Sequence, residues 1–345
     1  MLDFSAFPVL QKEGFGLIDA GAREGLPDLF QEIAPILRAV GFEPEEEECS
    51  RLNQEARRKT DSGNAPYLPW ALGAQDGQTV FHVCRSKGAS SFYRPNRPWL
   101  DRFPDPDRYD VLETRSVATR TLDGLLGEKS SGIPDPVDFL KLDVQGAELD
   151  ILRGARQTLT RQTVGVEVEV EFSRFYQSQP LFRDVDAFLA EQGFTLFKLR
   201  RKSWVRANCL KRPQISAGQM VAADALYLRD PFLAGWDSLE PNPVHHLEAL
   251  VLVSALYDLN DFALEIASDK RFSPQLETGR IKEWIRQRGS RLDYRSNGSG
   301  RLASWIRIAR EIRKGKTGWA NLYEWSRRRS WGRADSNKDF YTRTN

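Results

Sequence analysis

Residues Phe139 to Gly154 read FLKLDVQGAELDILRG, and this stretch decides the fold. Its apolar start predicts a buried strand that ends at the carboxylate of Asp143. After a short turn, leucines at helical spacing, including Leu149 and Leu152, predict a helix. A strand that delivers an acid into a turn before a helix places that acid at the carboxyl end of the sheet, where open α/β sheets bind ligands. For this stretch alone, an Asp that caps the helix is an equally good interpretation.

A second acid and a glycine-bearing turn lie upstream, in the run GLIDAGAREG from Gly16 to Gly25. A predicted strand ends at Asp19, and the glycines that follow, Gly21 first, let a ligand approach the backbone closely. The run is not a GxGxxG motif, which disfavours a dinucleotide ligand. Glu43 ends the next predicted strand, and an acid at that place accepts hydrogen bonds from ribose hydroxyls. The alternative for Glu43 is a solvated acid at the head of an acidic run.

Four segments of the chain, in order and spacing, resemble the FkbM-type methyltransferases. Asp19–Gly25 matches D-x-G-A-x-x-G, Phe42–Pro44 matches F-E-P, Thr121–Asp123 matches T-L-D, and Lys141–Ala155 matches K-x-D-V-[EQ]-G-A-E-x-x-[VIL]-L-x-G-A. The resemblance covers about residues 14–230. It implies a class I, Rossmann-like α/β fold with a mostly parallel sheet and helices on both faces. It also implies S-adenosylmethionine as cofactor and O-methylation of a glycan, glycolipid or other natural product.

The resemblance also implies a cofactor site at the ends of the first strands. Asp19, Gly21 and Gly25 would surround the methionine part of the cofactor, and Glu43 would bind its ribose. Leu72 and Gly73 would lie near the adenine. The full set of expected cofactor-binding residues is Asp19, Gly21, Ala22, Gly25, Glu43, Pro44, Leu72 and Gly73.

Methyl transfer to a hydroxyl needs positioning and a general base, and the sequence offers several carboxylates for these roles. Asp143 stands where an acceptor would meet the methyl group. In the strand VEVEVE, alternation puts Glu167, Glu169 and Glu171 on one face, where burial without partners would be costly. We expect Glu169 and Glu171 to reach the ligand crevice as catalytic residues or to find cationic partners such as Arg174. An edge strand with a solvated face is the alternative.

A metal and a histidine are the remaining candidates for the chemistry. Together with Asp143, the glutamates are compatible with a hard cation such as Mg²⁺, but a divalent metal is not predicted because nothing fixes a ligand count. His82 lies in a strand-like run and is a candidate base, although a lone histidine is more often a packing residue. The Pro- and aromatic-rich stretch 86–110, with Tyr93 and Trp99, either stacks sugar rings or packs on itself.

Charge and composition predict two regions in this chain of 345 residues, of which 40% are hydrophobic. Residues 271–345 carry 19 basic and 7 acidic side chains, whereas the rest of the chain carries 31 and 41. We predict a Rossmann-like domain at residues 1–235 and a helical, basic C-terminal region at 236–345 with a disordered tail. Tryptophans alternate with arginines near Arg327–Arg329, which fits a solvated helical face, an anionic membrane surface or RNA.

The sequence also bears on location. Its first residues, MLDFSAFPVLQKEG, lack the basic and apolar regions of a signal peptide, so none is expected, and no apolar run is long enough to span a membrane. Its three cysteines show neither disulfide nor zinc spacing. We therefore expect a cytoplasmic protein, or one peripheral to the inner face of the membrane.

These observations favour an S-adenosylmethionine-dependent O-methyltransferase whose partner is a glycan or glycolipid acceptor. A catalytically inactive glycan- or membrane-associated binding protein with the same fold is one alternative, and an RNA methyltransferase is another. The chain has DVQG at residues 143–146, where amino-methylating base modifiers carry [ND]-P-P-[YF]. A nucleic-acid partner is therefore not favoured.

Overall fold

The computed structural model describes residues 3–59, 66–128, 132–209, 216, 218–233, 236, 239 and 242–296. The chain divides into two compact units, one from Lys12 to Leu250 and one formed by the N-terminal residues up to Gln11 with the chain from Val251 onward. The boundary predicted after residue 235 remains a prediction. The predicted disordered tail and the arginine- and tryptophan-rich segment lie outside the described residues.

In the described residues, strands form two sheets. The strands are β1 (Phe15–Ala20), β2 (Leu37–Phe42), β3 (Tyr67–Leu68), β4 (Ala71–Leu72), β5 (Gly77–Cys84), β6 (Val111–Arg120), β7 (Phe139–Leu142), β8 (Gly165–Glu171), β9 (Phe194–Trp204) and β10 (Gln219–Arg229). The main sheet has the order β3-β2-β1-β7-β8-β10-β9. Its first five strands are parallel, and β10 runs antiparallel to both β8 and β9. This is the mostly parallel α/β sheet that the sequence predicts, and β9 and β10 close it as an antiparallel pair.

Helices alternate with the strands along the chain and continue after the last strand. They are α1 (Pro8–Glu13), α2 (Glu46–Lys59), α3 (Arg97–Leu100), α4 (Leu122–Gly127), α5 (Glu148–Arg153), α6 (Arg156–Arg161), α7 (Phe182–Glu191), α8 (Pro243–Leu256), α9 (Asn260–Ser268) and α10 (Thr278–Ser296). The helix predicted after Asp143 is interrupted between α5 and α6. At this break Gly154 packs so closely that a Cβ would lie 2.1 Å from the carbonyl oxygen of Gly73. No described helix is long and apolar enough to cross a membrane.

The two faces of the main sheet differ in polarity because side chains alternate along each strand. On one face, Val166, Val168 and Val170 of β8 join a fully buried core under α5 and α7. On the other face, β8 presents Glu167 and Glu169 to Arg200 and Lys202 of β9, which lies two strands away across β10. The charged residues of this face lie toward the carboxyl ends of the parallel strands, where the candidate site is located.

The smaller sheet has the order β4-β6-β5, and β6 was not predicted. β6 lies antiparallel to β5 and parallel to β4. Most of its side chains are exposed or half-buried, including Val111 and Leu112 at 38% and 61% exposure. The strand therefore shows little of the apolar alternation that identifies a half-buried strand.

The C-terminal unit has its own core around Trp284 of α10. The ring of Phe7 meets the ring of Trp284 edge-on, with centroids 5.3 Å apart. Arg288 is 4% exposed and donates to the carbonyl oxygens of Ala255 and Leu256 and to Asp258. These bonds satisfy carbonyl groups at the C-terminus of α8, which otherwise have no helical partner.

A fully buried histidine joins α8 to the start of the main sheet. The Nδ1 of His245 lies 3.0 Å from Glu13 Oε2, and its Nε2 lies 2.9 Å from Asp138 Oδ1. Asp138 also accepts a 2.7 Å hydrogen bond from the backbone N–H of Gly16. Burial lowers the pKa of His245, but the two carboxylates outweigh burial and raise it overall. The two acids therefore favour the protonated imidazole over the neutral one.

We expect the free energy of unfolding to depend on this histidine. A raised folded pKa gives stability that is fully present below the unfolded pKa of about 6.5 and is lost as the pH rises through the folded pKa. His245→Gln should remove this loss, which we expect to be about 1–3 kcal/mol. Urea unfolding at pH 6 and pH 9 would measure it. The half-buried His82, whose pKa is lowered, provides the control, because His82→Gln should leave the loss in place.

Candidate active site

The glycine turn after β1 packs against the turn after β7. Gly21 has φ +82°, a left-handed conformation that favours glycine, and a Cβ there would lie 2.0 Å from the carbonyl oxygen of Asp143. Gly25 also has positive φ, at +81°, and Ala22 between them is buried. The close packing brings the two predicted motifs together at the carboxyl end of the sheet.

Asp19 is completely buried at the end of β1. Its Oδ1 lies 3.1 Å from the Nζ of Lys141, its register partner on β7. Its Oδ2 is buried without a hydrogen-bond partner among the described residues. Burial raises the pKa of Asp19, and the nearby ammonium of Lys141 opposes that shift. The side chain therefore has one paired oxygen and one that lacks a donor.

Glu43 follows β2 and is 5% exposed. Its Oε1 accepts a 2.9 Å hydrogen bond from the backbone N–H of Glu45, whereas no described hydrogen bond uses its Oε2. Burial raises the pKa of Glu43. Pro44 comes between these residues, just before α2 begins. The sequence left open a solvent-exposed Glu43, and the structure shows that this side chain is buried.

Leu72 and Gly73 lie at the end of β4. Leu72 belongs to the main hydrophobic core, together with Phe42 at the end of β2. The backbone N–H of Gly73 donates to the carbonyl oxygen of Arg120 at 3.0 Å. The side chain of Leu72 thus serves packing, and its expected position near an adenine remains a prediction.

Asp143 and Gln145, in the turn after β7, form a bridged group with Glu169 of β8. The Nε2 of Gln145 donates to Asp143 Oδ1 at 3.0 Å and to Glu169 Oε2 at 2.9 Å. The Nζ of Lys202 lies 2.5 Å from Glu169 Oε1 and 2.8 Å from Asp224 Oδ1. The structure therefore brings Asp143 and Glu169 together, as the sequence predicts.

The two bridged carboxyl groups differ in acidity. Burial raises the pKa of Asp143, but Lys141, Lys202 and hydrogen bonds outweigh burial and hold it well below its usual range. Burial and the charge of Asp143 raise the pKa of Glu169 to about 8. The two groups therefore titrate as a coupled pair in which Asp143 is the stronger acid.

Glu171 is 3% exposed at the end of β8, and no hydrogen bond to its carboxyl group occurs among the described residues. Burial, then Glu148 and Glu169, raise its pKa well above the usual range. Glu148 is buried at the start of α5, where its Oε1 accepts hydrogen bonds from the backbone N–H groups of Val144 and Gly146. Burial raises the pKa of Glu148 to about 7. Glu148 shapes the turn, whereas Glu171 has lone pairs available to a ligand.

Two basic side chains of β9, Arg200 and Lys202, lie close to the acids of this site. No function was predicted from the sequence for the charges of this strand. The sequence suggested Arg174 as the partner of the glutamates, and the structure corrects this to Lys202. Arg200 reaches Asp224 at 2.5 Å and lies 3.9 Å from Glu167. Because β9 pairs with β10, which pairs with β8, these contacts depend on sheet order and could not be found from spacing within one strand.

A metal site is not formed by the described residues, among which no three His, Cys, Asp or Glu side chains are arranged to hold an ion. His82 lies on β5 in the smaller sheet, where its Nδ1 is 3.4 Å from Thr114 Oγ1. Its backbone pairs with Ser91, and the hydroxyl of Ser91 donates to the carbonyl oxygen of Gln145 at 2.7 Å. No described contact joins the imidazole to Asp143.

The aromatic residues of the stretch 86–110 pack mainly on the protein itself. The Trp99 ring stacks on Phe175 at 5.0 Å and also meets Phe103 and Trp204. The Tyr93 hydroxyl donates to Asp150 Oδ2 at 2.7 Å. Of the two interpretations of this stretch, the self-packed loop fits the described contacts.

Comparisons with known proteins agree with the motifs. A family model described as the methyltransferase FkbM domain matches residues 19–196. No curated protein matches the chain. The solved structure of methyltransferase FkbM from Methylobacillus flagellatus KT is 15% identical over 63% of this chain and 44% of that chain, with a TM-score of 0.36. The chain thus spans less than half the length of that protein.

Two further solved structures are similar to the chain. Magnesium protoporphyrin IX methyltransferase from Synechocystis PCC 6803, solved with bound SAM, is 13% identical over 66% of this chain and 74% of that chain, with a TM-score of 0.32. The 16S rRNA (adenine(1408)-N(1))-methyltransferase from Catenulisporales acidiphilia is 16% identical over 67% of this chain and 94% of that chain, with a TM-score of 0.30.

Proposed function

The chain belongs to the FkbM methyltransferase family, whose methyl donor is S-adenosylmethionine, and on that premise we propose that it O-methylates a saccharide or glycolipid hydroxyl. One observation carries the proposal. The glycine turn that follows Asp19 packs directly on the turn that holds Asp143, so a cofactor beside the first would meet an acceptor beside the second.

The residues around Asp19 and Glu43 fit the cofactor. Asp19 has an oxygen without a donor, which an ammonium or hydroxyl group of a ligand would satisfy. Glu43 leaves Oε2 outside every described hydrogen bond, which suits ribose hydroxyls. The left-handed Gly21 keeps side-chain bulk away from the turn. Bound S-adenosylmethionine would supply a methyl group already activated on a sulfonium.

The acceptor side supports a hydroxyl nucleophile. An alcohol is a poor nucleophile until its proton is removed, and a base acts best when its pKa lies near the working pH. Glu171 is the stronger base of the two, since its pKa is raised whereas that of Asp143 is lowered, and no described donor occupies its oxygens. Asp143, whose pKa is lowered, is a weak base and is better suited to orient the hydroxyl. Polar carboxyl and amide groups in this region also match the hydroxyl pattern of a sugar.

The location and further partners are part of the same proposal. The proposed acceptor is a glycan or glycolipid. The proposed location is the cytoplasm or the inner face of the membrane, to which the protein would be peripheral. Contact with an anionic membrane surface is assigned to the basic C-terminal region, whose residues from 297 onward lie outside the described structure.

The cofactor site is tested by binding of S-adenosylhomocysteine. Asp19→Ala and Glu43→Ala should each weaken binding by about 10- to 150-fold, because each removes a charged acceptor worth about 1.5–3 kcal/mol. Calorimetry on the full chain would measure the dissociation constants. Glu46→Gln, an exposed change on α2 close to Glu43, is the matched control and should bind as the wild type does. Unchanged binding in both alanine variants, with intact folding, would show that the site is wrong.

Transfer itself is tested with S-adenosylmethionine labelled in the methyl group. Incubation with a cell-envelope glycan extract should yield labelled material that releases methyl ethers on hydrolysis. Tight cofactor binding without any transfer would instead favour a binding protein that has lost turnover.

A further inference from the structure

Gln145 has a strained backbone in a position that a glycine could occupy. Its φ is +61°, one of the few positive values at a non-glycine residue in the described chain. This conformation is costly for side chains with a Cβ and persists where the surrounding structure enforces it. Gly146 follows with φ +102°, so the turn already contains one glycine. An observed outlier of this kind is a reason to ask what the side chain does.

The amide nitrogen of Gln145 bridges two carboxyl groups. The Nε2 donates to Asp143 and to Glu169, so each hydrogen of the NH₂ group has a carboxyl partner. The Oε1 lies 3.3 Å from the hydroxyl of Tyr176, whose single hydrogen has a nearer acceptor in the carbonyl oxygen of Ala89 at 2.9 Å. The two carboxyl partners fix which end of the amide faces the acids. A side chain that served only to fill space would not need two carboxyl partners at such distances.

Lys202 of β9 supplies positive charge to this cluster. Lys202 is half-buried and contacts Glu169 and Asp224, and its ammonium lowers the pKa of Asp143. The other charged groups that act on Asp143 or Glu169 are Asp19 on β1, Lys141 on β7, Glu171 on β8, Asp224 on β10 and Glu148 on α5. Among the described residues, the ion pair with Glu169 is made by Lys202.

We propose that Gln145 is a positioning residue that holds the carboxyl groups of Asp143 and Glu169 in one arrangement, with Lys202 supplying the charge that this arrangement needs. The proposal rests on the proposed function, because it assigns a purpose to two carboxyl groups of the acceptor site. The bridge keeps Asp143 ionised and pointed toward Glu169, so that it presents a fixed oxygen to an incoming hydroxyl. In so short a turn, the left-handed backbone of Gln145 is what directs its amide toward both carboxyl groups.

The test is a titration of the full chain labelled with ¹³C at the carboxyl carbons of aspartate and glutamate, with Asp143→Asn and Glu169→Gln used for assignment. Gln145→Met keeps the length of the side chain but removes its donors. The Asp143 signal should then titrate about one pH unit higher, since a hydrogen bond to its charged form is lost. Lys202→Met should move the signals of Asp143 and Glu169 upward together.

A second variant separates positioning from packing. Gln145→Gly suits the left-handed backbone and leaves no side chain to fill the space, so the protein should still fold, and the Asp143 signal should move as in Gln145→Met. Gln177→Met, an exposed change after β8, is the matched control and should leave the titration unchanged. Wild-type titration curves in both Gln145 variants would overturn the proposal. The titration needs no acceptor, so its result stands apart from a failure to bind S-adenosylhomocysteine or to transfer methyl groups.

Discussion

Lys141→Met should lower the free energy of unfolding by about 3–5 kcal/mol, the usual effect of removing one partner of a buried ion pair. Asp19 is completely buried, and the ammonium of Lys141 is its one described hydrogen-bond donor. Without it, the folded state must hold an uncompensated carboxylate or protonate it. Urea unfolding of the wild type and the variant at pH 8 would measure the loss. Lys282→Met, an exposed change on α10, should stay within about 0.5 kcal/mol.

The loss of stability in Lys141→Met should depend on pH in one direction. Burial raises the pKa of Asp19, and loss of the ammonium should raise it further. An acid whose folded pKa exceeds its unfolded pKa favours the folded state more as the pH falls, so the deficit of Lys141→Met should shrink in acid. Asp19→Asn combined with Lys141→Met should recover at least about 1 kcal/mol relative to additivity. A deficit that is constant with pH and strictly additive would contradict the pairing.

The motifs predicted the parts of the fold that depend on local order. Asp19, Glu43 and Asp143 each end a parallel strand as expected, because an apolar run before an acid and a turn is a local pattern. The family resemblance is confirmed by the match over residues 19–196. The roles assigned to the individual side chains stay predictions until binding and transfer are measured.

The parts that were missed depend on contacts between distant segments. Lys202 reaches Glu169 from a strand 33 residues later, and nothing in the composition of β9 distinguishes it from its basic neighbours. The strand β6 was missed because its side chains are mostly exposed, so its residues lack the apolar alternation used to find strands. At the break between α5 and α6, Gly154 packs closely against Gly73. The spacing of apolar residues along a helix gives no indication of such a contact.

Glu171→Gln should reduce methyl transfer by about 10²- to 10⁴-fold, the usual contribution of a general base. Glu171 is 3% exposed and its pKa is raised by burial and by neighbouring acids. A base works in its ionised form, so the wild-type rate should rise with pH through this raised pKa, and the rise should vanish in the variant. The assay is transfer of labelled methyl from S-adenosylmethionine to the glycan extract between pH 6 and pH 10.

The companion variants distinguish a base from an orienting group. Asp143→Asn should also slow transfer but should keep the rise with pH, because Glu171 remains to take the proton. Glu191→Gln, an exposed change at the end of α7, should transfer as the wild type does. S-adenosylhomocysteine should bind Glu171→Gln within a few-fold of the wild type, which would assign the loss to chemistry rather than to the cofactor. If Glu171→Gln keeps both the rate and the pH profile, another group takes the proton. The roles proposed above, with Glu171 as the base and Asp143 as the orienting group, would then be wrong.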